Sequence, residues 1–110
     1  FYLSPPNMLV RIVKMTFSAD RTDEFQARFH KIKQNIIEFE GCELLELYQD
    51  KDDPNIFFTY SYWQSEKDLD RYRNSDFFRE VWSNTKKMFT KKAEAWSVDK
   101  IVSLNRQNIK

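Results

Sequence analysis

The chain predicts an α+β domain: a four-stranded antiparallel sheet with helices packed on one face. Three observations predict it. Strand-like and helical patterns follow one another in the order β-α-β-β-α-β. The chain's one glycine, Gly41, falls where the first helix must stop. A strand-like aromatic run, Ile56 to Trp63, is followed almost at once by a helical pattern carrying Leu69, Tyr72, Phe77, Phe78, Val81 and Trp82. Aromatic side chains bury roughly 150–250 Å² each. So many of them in an otherwise hydrophilic chain place a strand and a helix across a bulky interior. That interior is either a packed core or a pocket for a flat ligand.

Each element has its own warrant. Residues 8–17 read as a strand with Val10, Ile12 and Lys14 on one face and Val13, Met15 and Phe17 on the other. Both faces are largely apolar, which suits a strand covered on two sides. Residues 20–40 read as a helix. Phe25, Phe29, Ile32, Ile36 and Phe39 form one apolar stripe, and Asp20 with Asp23 resembles a capping arrangement at its start. His30 falls about 140° from the stripe's centre and is expected to face solvent. Gly41 is expected as a left-handed C-cap. Residues 42–49 form a second strand. The polar turn Asp50–Asn55, with Pro54, joins it to the third strand, Ile56–Trp63, as an antiparallel hairpin.

Ser65 caps a short helix from Glu66 to about Arg73, with Asp68 three residues on. Asn74-Ser75 breaks it. A longer helix is expected from about Asp76 to Lys92, with Phe77, Phe78, Val81, Trp82, Met88 and Phe89 on one broad face. Lys86, Lys87, Lys91 and Lys92 then mark either a solvated helix end or a patch for an anionic partner. Residues 94–103 form the last strand, with Trp96, Val98, Lys100 and Val102 alternating.

The 110 residues fit one domain. The expected bounds are 8–104 for the domain, 1–7 for an N-terminal extension without periodicity, and 105–110 for a C-terminal tail. Met8 is a candidate natural start. The 18 Lys+Arg against 17 Asp+Glu lack the basic excess of a nucleic-acid binder. No apolar run approaches the roughly 20 residues of a membrane helix. The single cysteine, Cys42, excludes an internal disulfide and reads as a small buried hydrophobe. One cysteine and one histidine supply neither a nucleophile with its base nor a zinc site. A cytoplasmic protein is expected, with neither nucleic acid nor membrane as a partner.

The element order is the split βαβ plan of ferredoxin-like domains. Two helices cover one sheet face, yet the strands carry apolar residues on both. The uncovered face is too large an apolar patch for a comfortable monomer. A second copy packed sheet to sheet is the simplest remedy, so a C2 homodimer is expected.

The passage IFFTYSYWQSEKDLDRYRNSDFFREVW, preceded by a β-α-β unit ending in FEGCELLEL, resembles the antibiotic biosynthesis monooxygenase domain, a dimeric α+β barrel of ferredoxin-like topology. The similarity runs from about Met8 to Val102. Its most telling pieces are Gly41-Cys42, Tyr62-Trp63-x-Ser65 and Tyr72-x-x-Ser75-Asp76-x-Phe78. The family mixes cofactor-free oxygenases, quinol oxygenases, haem-degrading enzymes and members without a known reaction. The resemblance implies a ligand cavity between sheet and helices, lined by Val13, Tyr72, Phe78 and Trp82. Trp63 joins them if it faces inward, which strand parity leaves open. The haem-degrading branch uses an asparagine, a tryptophan and an axial histidine. The matching places here are Val13 or Lys14, Tyr72 and Trp82. All three differ, so haem is not expected, nor any other cofactor.

The leading expectation is therefore a cofactor-independent monooxygenase acting with O2 on a flat phenol or hydroquinone. Tyr72 would orient or deprotonate a phenolic oxygen. Trp63 and Trp82 would sandwich the ring and donate indole N–H bonds. Arg11 or Lys14 would steady the developing oxyanion if either points inward. Each residue also has a plain structural reading. Tyr72 can sit at a boundary with its hydroxyl in water, Trp63 and Trp82 can be core, and Arg11 and Lys14 can pair with Glu43 or Glu46. Two alternatives stand beside the enzyme: a non-catalytic dimer that binds a small hydrophobic molecule, and a structural protein whose aromatics fill the interior.

Overall fold

The computed structural model describes residues 8–106. The expected extension at 1–7 and the last four residues of the expected tail lie outside the described residues. Strand β1 (Leu9–Phe17) leads through a 3-10 turn at Ala19–Arg21 into helix α1 (Thr22–Ile37). Strands β2 (Cys42–Gln49) and β3 (Ile56–Trp63) follow, then helices α2 (Glu66–Arg73) and α3 (Asp76–Lys86), and strand β4 (Phe89–Asp99). The sheet is antiparallel throughout, in the order β2-β3-β1-β4. This is the ferredoxin-like α+β fold, with the second helical layer split in two.

Local chemistry explains most boundaries. In the β2–β3 turn the Asp50 carboxylate accepts from the backbone N–H groups of Asp52 and Asp53 at 3.1 and 2.8 Å. Ser65 caps α2 by accepting from Asp68 N–H, and Ser75 caps α3 by accepting from Phe78 N–H, both at 3.1 Å. Such caps satisfy backbone donors that a helix leaves unpaired at its start.

Three expected boundaries are corrected. Helix α1 ends at Ile37, not at residue 40, and no side-chain cap bond forms at its start. Asp20 instead accepts from the Ser18 hydroxyl at 2.5 Å, within the 3-10 turn. Gly41 does adopt the left-handed conformation, at φ 88°, but at the end of the turn after the helix. The chain re-enters the sheet there, and Gln64 N–H donates to the Gly41 carbonyl at 2.8 Å.

The third correction is the largest. Helix α3 stops at Lys86, and β4 begins at Phe89 rather than at residue 94. The Thr85 hydroxyl donates to the Val81 carbonyl at 2.7 Å, and Met88 N–H donates to the Thr85 carbonyl at 3.0 Å, which closes the last turn. Met88 is buried in the core, and Phe89 packs against it. Lys91 and Lys92 thus belong to a strand, not to a helix end. The strand's start carries no regular alternation, because its register against β1 slips between Lys14 and Thr16 and again between Thr16 and Phe17. Those irregularities break the period-2 pattern.

The two sheet faces differ. Toward the helices point Arg11, Val13, Met15 and Phe17 of β1 and Phe57, Thr59, Ser61 and Trp63 of β3. Met15, Phe17, Phe25, Phe29, Ile36, Phe57 and Met88 form the main core. A smaller cluster joins Cys42, Trp63 and Leu69. By strand alternation and register the other face carries Val10, Ile12 and Lys14, flanked by Phe58, Tyr60 and Tyr62 on one side and Glu94, Trp96 and Val98 on the other. Tyr48, Trp96 and Val98 on this face are more than 40% exposed.

Candidate functional site

The helix-facing side of the sheet does not close against the helices everywhere. A cavity of about 510 Å³ opens between β1, β3, β4 and helices α1–α3. That lies within the size range of small-molecule sites. The interior is therefore a chamber over part of its extent and a packed core over the rest.

The floor is graded in polarity. One row across the sheet reads Leu45, Ser61, Arg11, Ser97, each opposite the next in register. Arg11 Nη1 donates to Ser97 Oγ at 2.9 Å. The next inward-facing row reads Leu47, Thr59, Val13, Ala95. Beyond it lie Met15 and Phe57, both fully buried. The chamber is thus polar at the Arg11 end and apolar toward Phe25 and Phe29 of α1.

The opposite wall is aromatic. Trp63 and Tyr72 stack with centroids 5.1 Å apart, and Tyr72 meets Phe78 edge to face at 5.0 Å. Phe78 lies nearly parallel to Trp82 at 5.9 Å, and Trp82 meets Phe89 edge to face at 5.6 Å. Ser75 fixes the middle of this series. Its hydroxyl donates to the Tyr72 carbonyl at 2.6 Å while it caps α3 at Phe78 N–H.

Of the residues expected at the site, Arg11, Val13, Trp63, Tyr72, Phe78 and Trp82 all line this chamber. Lys14 does not; it projects from the opposite sheet face, so only Arg11 of the two cations reaches inward. The face taken by Trp63 is now settled: it points inward and is wholly buried. Its indole N–H donates to Ser61 Oγ at 2.9 Å. That donor is spent inside the protein, so Trp63 backs Tyr72 rather than sandwiching a ligand opposite Trp82. Sequence reasoning missed Asp70, Arg73 and Asn74, which line the polar end. Their spacing around Tyr72 on one short helix was the available signal, because residues three and four apart share a helix face.

The electrostatics follow from burial. Desolvation, with a smaller contribution from Cys42, pushes the Tyr72 phenol well above its ordinary range. Its hydroxyl has no partner among the described residues. Tyr72 therefore stays protonated at neutral pH and is a hydrogen-bond donor, not a base. Burial and the Arg73 guanidinium pull Arg11 down, and Asp70 opposes them. An arginine remains a cation under such pressure.

The wall does not fit a haem iron. It carries no histidine, and His30 is exposed on α1 with its Nδ1 3.1 Å from Lys33 Nζ. Among the described residues no group of three or more His, Cys, Asp or Glu side chains is placed to hold a metal ion.

A ferredoxin-like sheet with a part-aromatic, part-cationic chamber under its helices defines the class: an α+β domain with a cavity of small-molecule size between sheet and helices. The chain belongs to the antibiotic biosynthesis monooxygenase family, whose model matches residues 8–82. Solved structures share the whole architecture. A protein from Methanosarcina mazei Go1 is similar at 24% identity, with 83% of this chain and 91% of that chain aligned and a TM-score of 0.77. Rv0793 from Mycobacterium tuberculosis aligns over 90% of this chain and all of its own, at 14% identity and a TM-score of 0.81. A structure described as an antibiotic biosynthesis monooxygenase aligns over 86% of this chain and all of its own, at 16% identity and a TM-score of 0.80. At these identities the likeness is one of fold. No curated protein sequence matches the chain significantly. Among the described residues no helix is long and apolar enough to cross a membrane.

Proposed function

We propose that the protein is a cofactor-independent monooxygenase that oxidises a flat phenolic or quinol-type substrate with O2. The observation that carries this reading is the chamber itself: a cavity of about 510 Å³ with an aromatic wall facing a half-buried arginine. Membership of the family supports the reaction class.

The chemistry asks little of the protein. An electron-rich phenolate can transfer electrons to O2 directly. For a phenol with a free para C–H, O2 adds at that carbon, and the phenolic and ring protons are lost. One oxygen atom stays as the new carbonyl of a quinone, and the other leaves as water. Substrate supplies every electron. The site must hold the anion away from bulk water and steady its charge. Asp70, the one carboxylate on the described wall, is the group available to take the phenolic proton. Arg11 steadies the phenolate, and Tyr72 donates to a ring oxygen. Phe78 and Trp82 hold the ring.

The uncovered sheet face supports a second part of the proposal: the protein works as a homodimer, joined through the face that carries Ile12, Tyr60 and Trp96. Oxygen uptake tests the enzyme. Purified protein is expected to accelerate O2 consumption by anthrones or reduced naphthoquinones, and Tyr72→Phe and Trp82→Phe to slow it. An autoxidation rate unchanged by the protein across such a panel would leave the chamber a binding site only.

A further inference from the structure

Seven arginines lie among the described residues, and four of them reach a carboxylate. Arg21 and Arg28 pair with Glu24, Arg71 with Asp68 and Glu40, and Arg79 with Asp76. Arg11, Arg73 and Arg106 pair with none among the described residues, and of these three Arg11 and Arg73 line the chamber. Of the five N–H donors of Arg11, one is taken, by Ser97 Oγ at 2.9 Å. Arg73 makes no hydrogen bond or ion pair among the described residues. Against two guanidinium groups the wall sets a single carboxylate, Asp70. The polar end of an otherwise apolar cavity thus keeps one net positive charge and several unused planar donors.

Arg11 is half-buried, and a charge withdrawn from water is costly unless a partner neutralises it, while Arg73 stands exposed at the rim of the same end. A guanidinium fork matches a carboxylate in shape and in donor spacing. From this we infer that the substrate is an aromatic acid: its carboxylate binds at the Arg11–Arg73 end while its ring lies along Tyr72, Phe78 and Trp82. This inference rests on the chamber being the substrate site and names the substrate's acidic class. Arg73 is then a specificity-determining residue, placed on the last turn of α2 beside Tyr72. Arg11 serves twice, for the carboxylate and for charge developing on the ring.

The test uses ligands that do not react with O2, so it is separate from the test for oxygenation. Affinities are measured by calorimetry for one-, two- and three-ring aryl carboxylic acids and for the matching primary amides. The best-fitting acid is expected to bind about tenfold more tightly than its amide, and the advantage to shrink as salt is added. Arg73→Gln is expected to remove most of the advantage while leaving the amide's affinity unchanged. Arg73 is exposed, so the variant keeps its fold, which circular dichroism checks. Equal affinities for acid and amide, binding of neither, or a preference untouched by Arg73→Gln overturns the inference. A preference found in a protein that consumes no O2 would uphold it and reject the oxygenase.

Discussion

Trp63 lies against Tyr72 with ring centroids 5.1 Å apart and planes 26° apart. Trp63 cannot move, because it is wholly buried and its indole N–H is held by Ser61. Tyr72 is therefore clamped from behind by a fixed ring and along its backbone by Ser75. Its hydroxyl is what the clamp presents. Preorganised donors of this kind stabilise developing charge without reorganising at the moment of reaction.

The first prediction follows from that arrangement. Tyr72→Phe deletes a hydroxyl that no described group uses. Unfolding free energy is expected to change by less than about 0.5 kcal/mol. Turnover of a phenolic substrate is expected to fall on the order of 100-fold. Trp63→Ala removes the support as well and is expected to cost about 3–5 kcal/mol of stability. Urea titration beside steady-state O2 uptake separates the two effects. A Tyr72→Phe protein with full activity would remove Tyr72 from the site.

Burial of Tyr72 also fixes a pH dependence. The phenol's folded-state pKa lies above its unfolded value of about 10. A group raised in this way stabilises the fold fully below the unfolded value. It loses that contribution as pH rises toward the folded value, because the unfolded chain releases its proton first. Wild type is expected to lose stability above about pH 10, and Tyr72→Phe to lose less. Denaturant midpoints at pH 9, 10 and 11 check this. Between pH 6 and 9 Tyr72 contributes no titration, so a Tyr72→Phe variant keeps the wild-type shape of the activity profile at a lower level.

Much of this was legible in the sequence. Ser75, read only as a helix break, caps α3, but Ser65 announces its helix because a capping hydroxyl with an acid three residues on is a local signal. Gly41 announces a left-handed turn for the same reason. Phe78 and Trp82 share a helix face by their spacing, and the family resemblance implied that Tyr72 lines a cavity with them. What was not legible depends on parity and register. Apolar residues alternate on both faces of β1 and β3, so period 2 gives no inside or outside for Trp63, Arg11 or Lys14. The β4 bulges hid the strand's start. Asp70 and Arg73 went unremarked because their spacing puts them on one helix face without telling that a cavity lies beneath it.

Gly41 yields a third prediction. A Cβ there would collide with the carboxyl group of Asp68. That carboxylate cannot step aside freely: it accepts from Ser65 Oγ at 3.0 Å and from Arg71 Nη1 at 2.9 Å. The left-handed backbone adds about 1–2 kcal/mol for any side chain. Gly41→Ala is expected to destabilise by about 2–4 kcal/mol in urea unfolding. A loss below 1 kcal/mol would show that the junction between α1 and β2 can be rebuilt.

Ser75 joins stability to binding. Ser75→Ala removes the α3 cap and the bond to the Tyr72 carbonyl together. The cap alone is worth about 1 kcal/mol. Ligand affinity is expected to fall severalfold as well, because Tyr72 and Phe78 are no longer held across one hydroxyl. Ser65→Ala is the control: it removes a similar cap, on α2, that makes no bond to a chamber residue. Its stability loss is expected to match, with affinity intact. Equal affinity losses in the two variants would mean that the helices, not the Ser75 bridge, set the site.

The uncovered sheet face carries the last prediction. Tyr48 packs edge to face on Tyr60 at 5.3 Å, its hydroxyl donates to Glu46, and Lys100 Nζ sits 4.2 Å over the Tyr62 ring. The Tyr48 hydroxyl is satisfied, while Tyr48, Trp96 and Val98 keep more than 40% of their surface exposed. That pattern suits association with a like surface better than immersion in water. Wild type is expected to sediment at about twice the 13.4 kDa chain mass at micromolar concentration. Trp96 sits opposite Ile12 in register and is 44% exposed. Trp96→Glu places a charge in the middle of the proposed contact, where burying it without a partner costs several kcal/mol. It is expected to yield single folded chains that still bind aryl acids. A wild-type protein that sediments as one chain would leave this apolar face without the partner proposed for it.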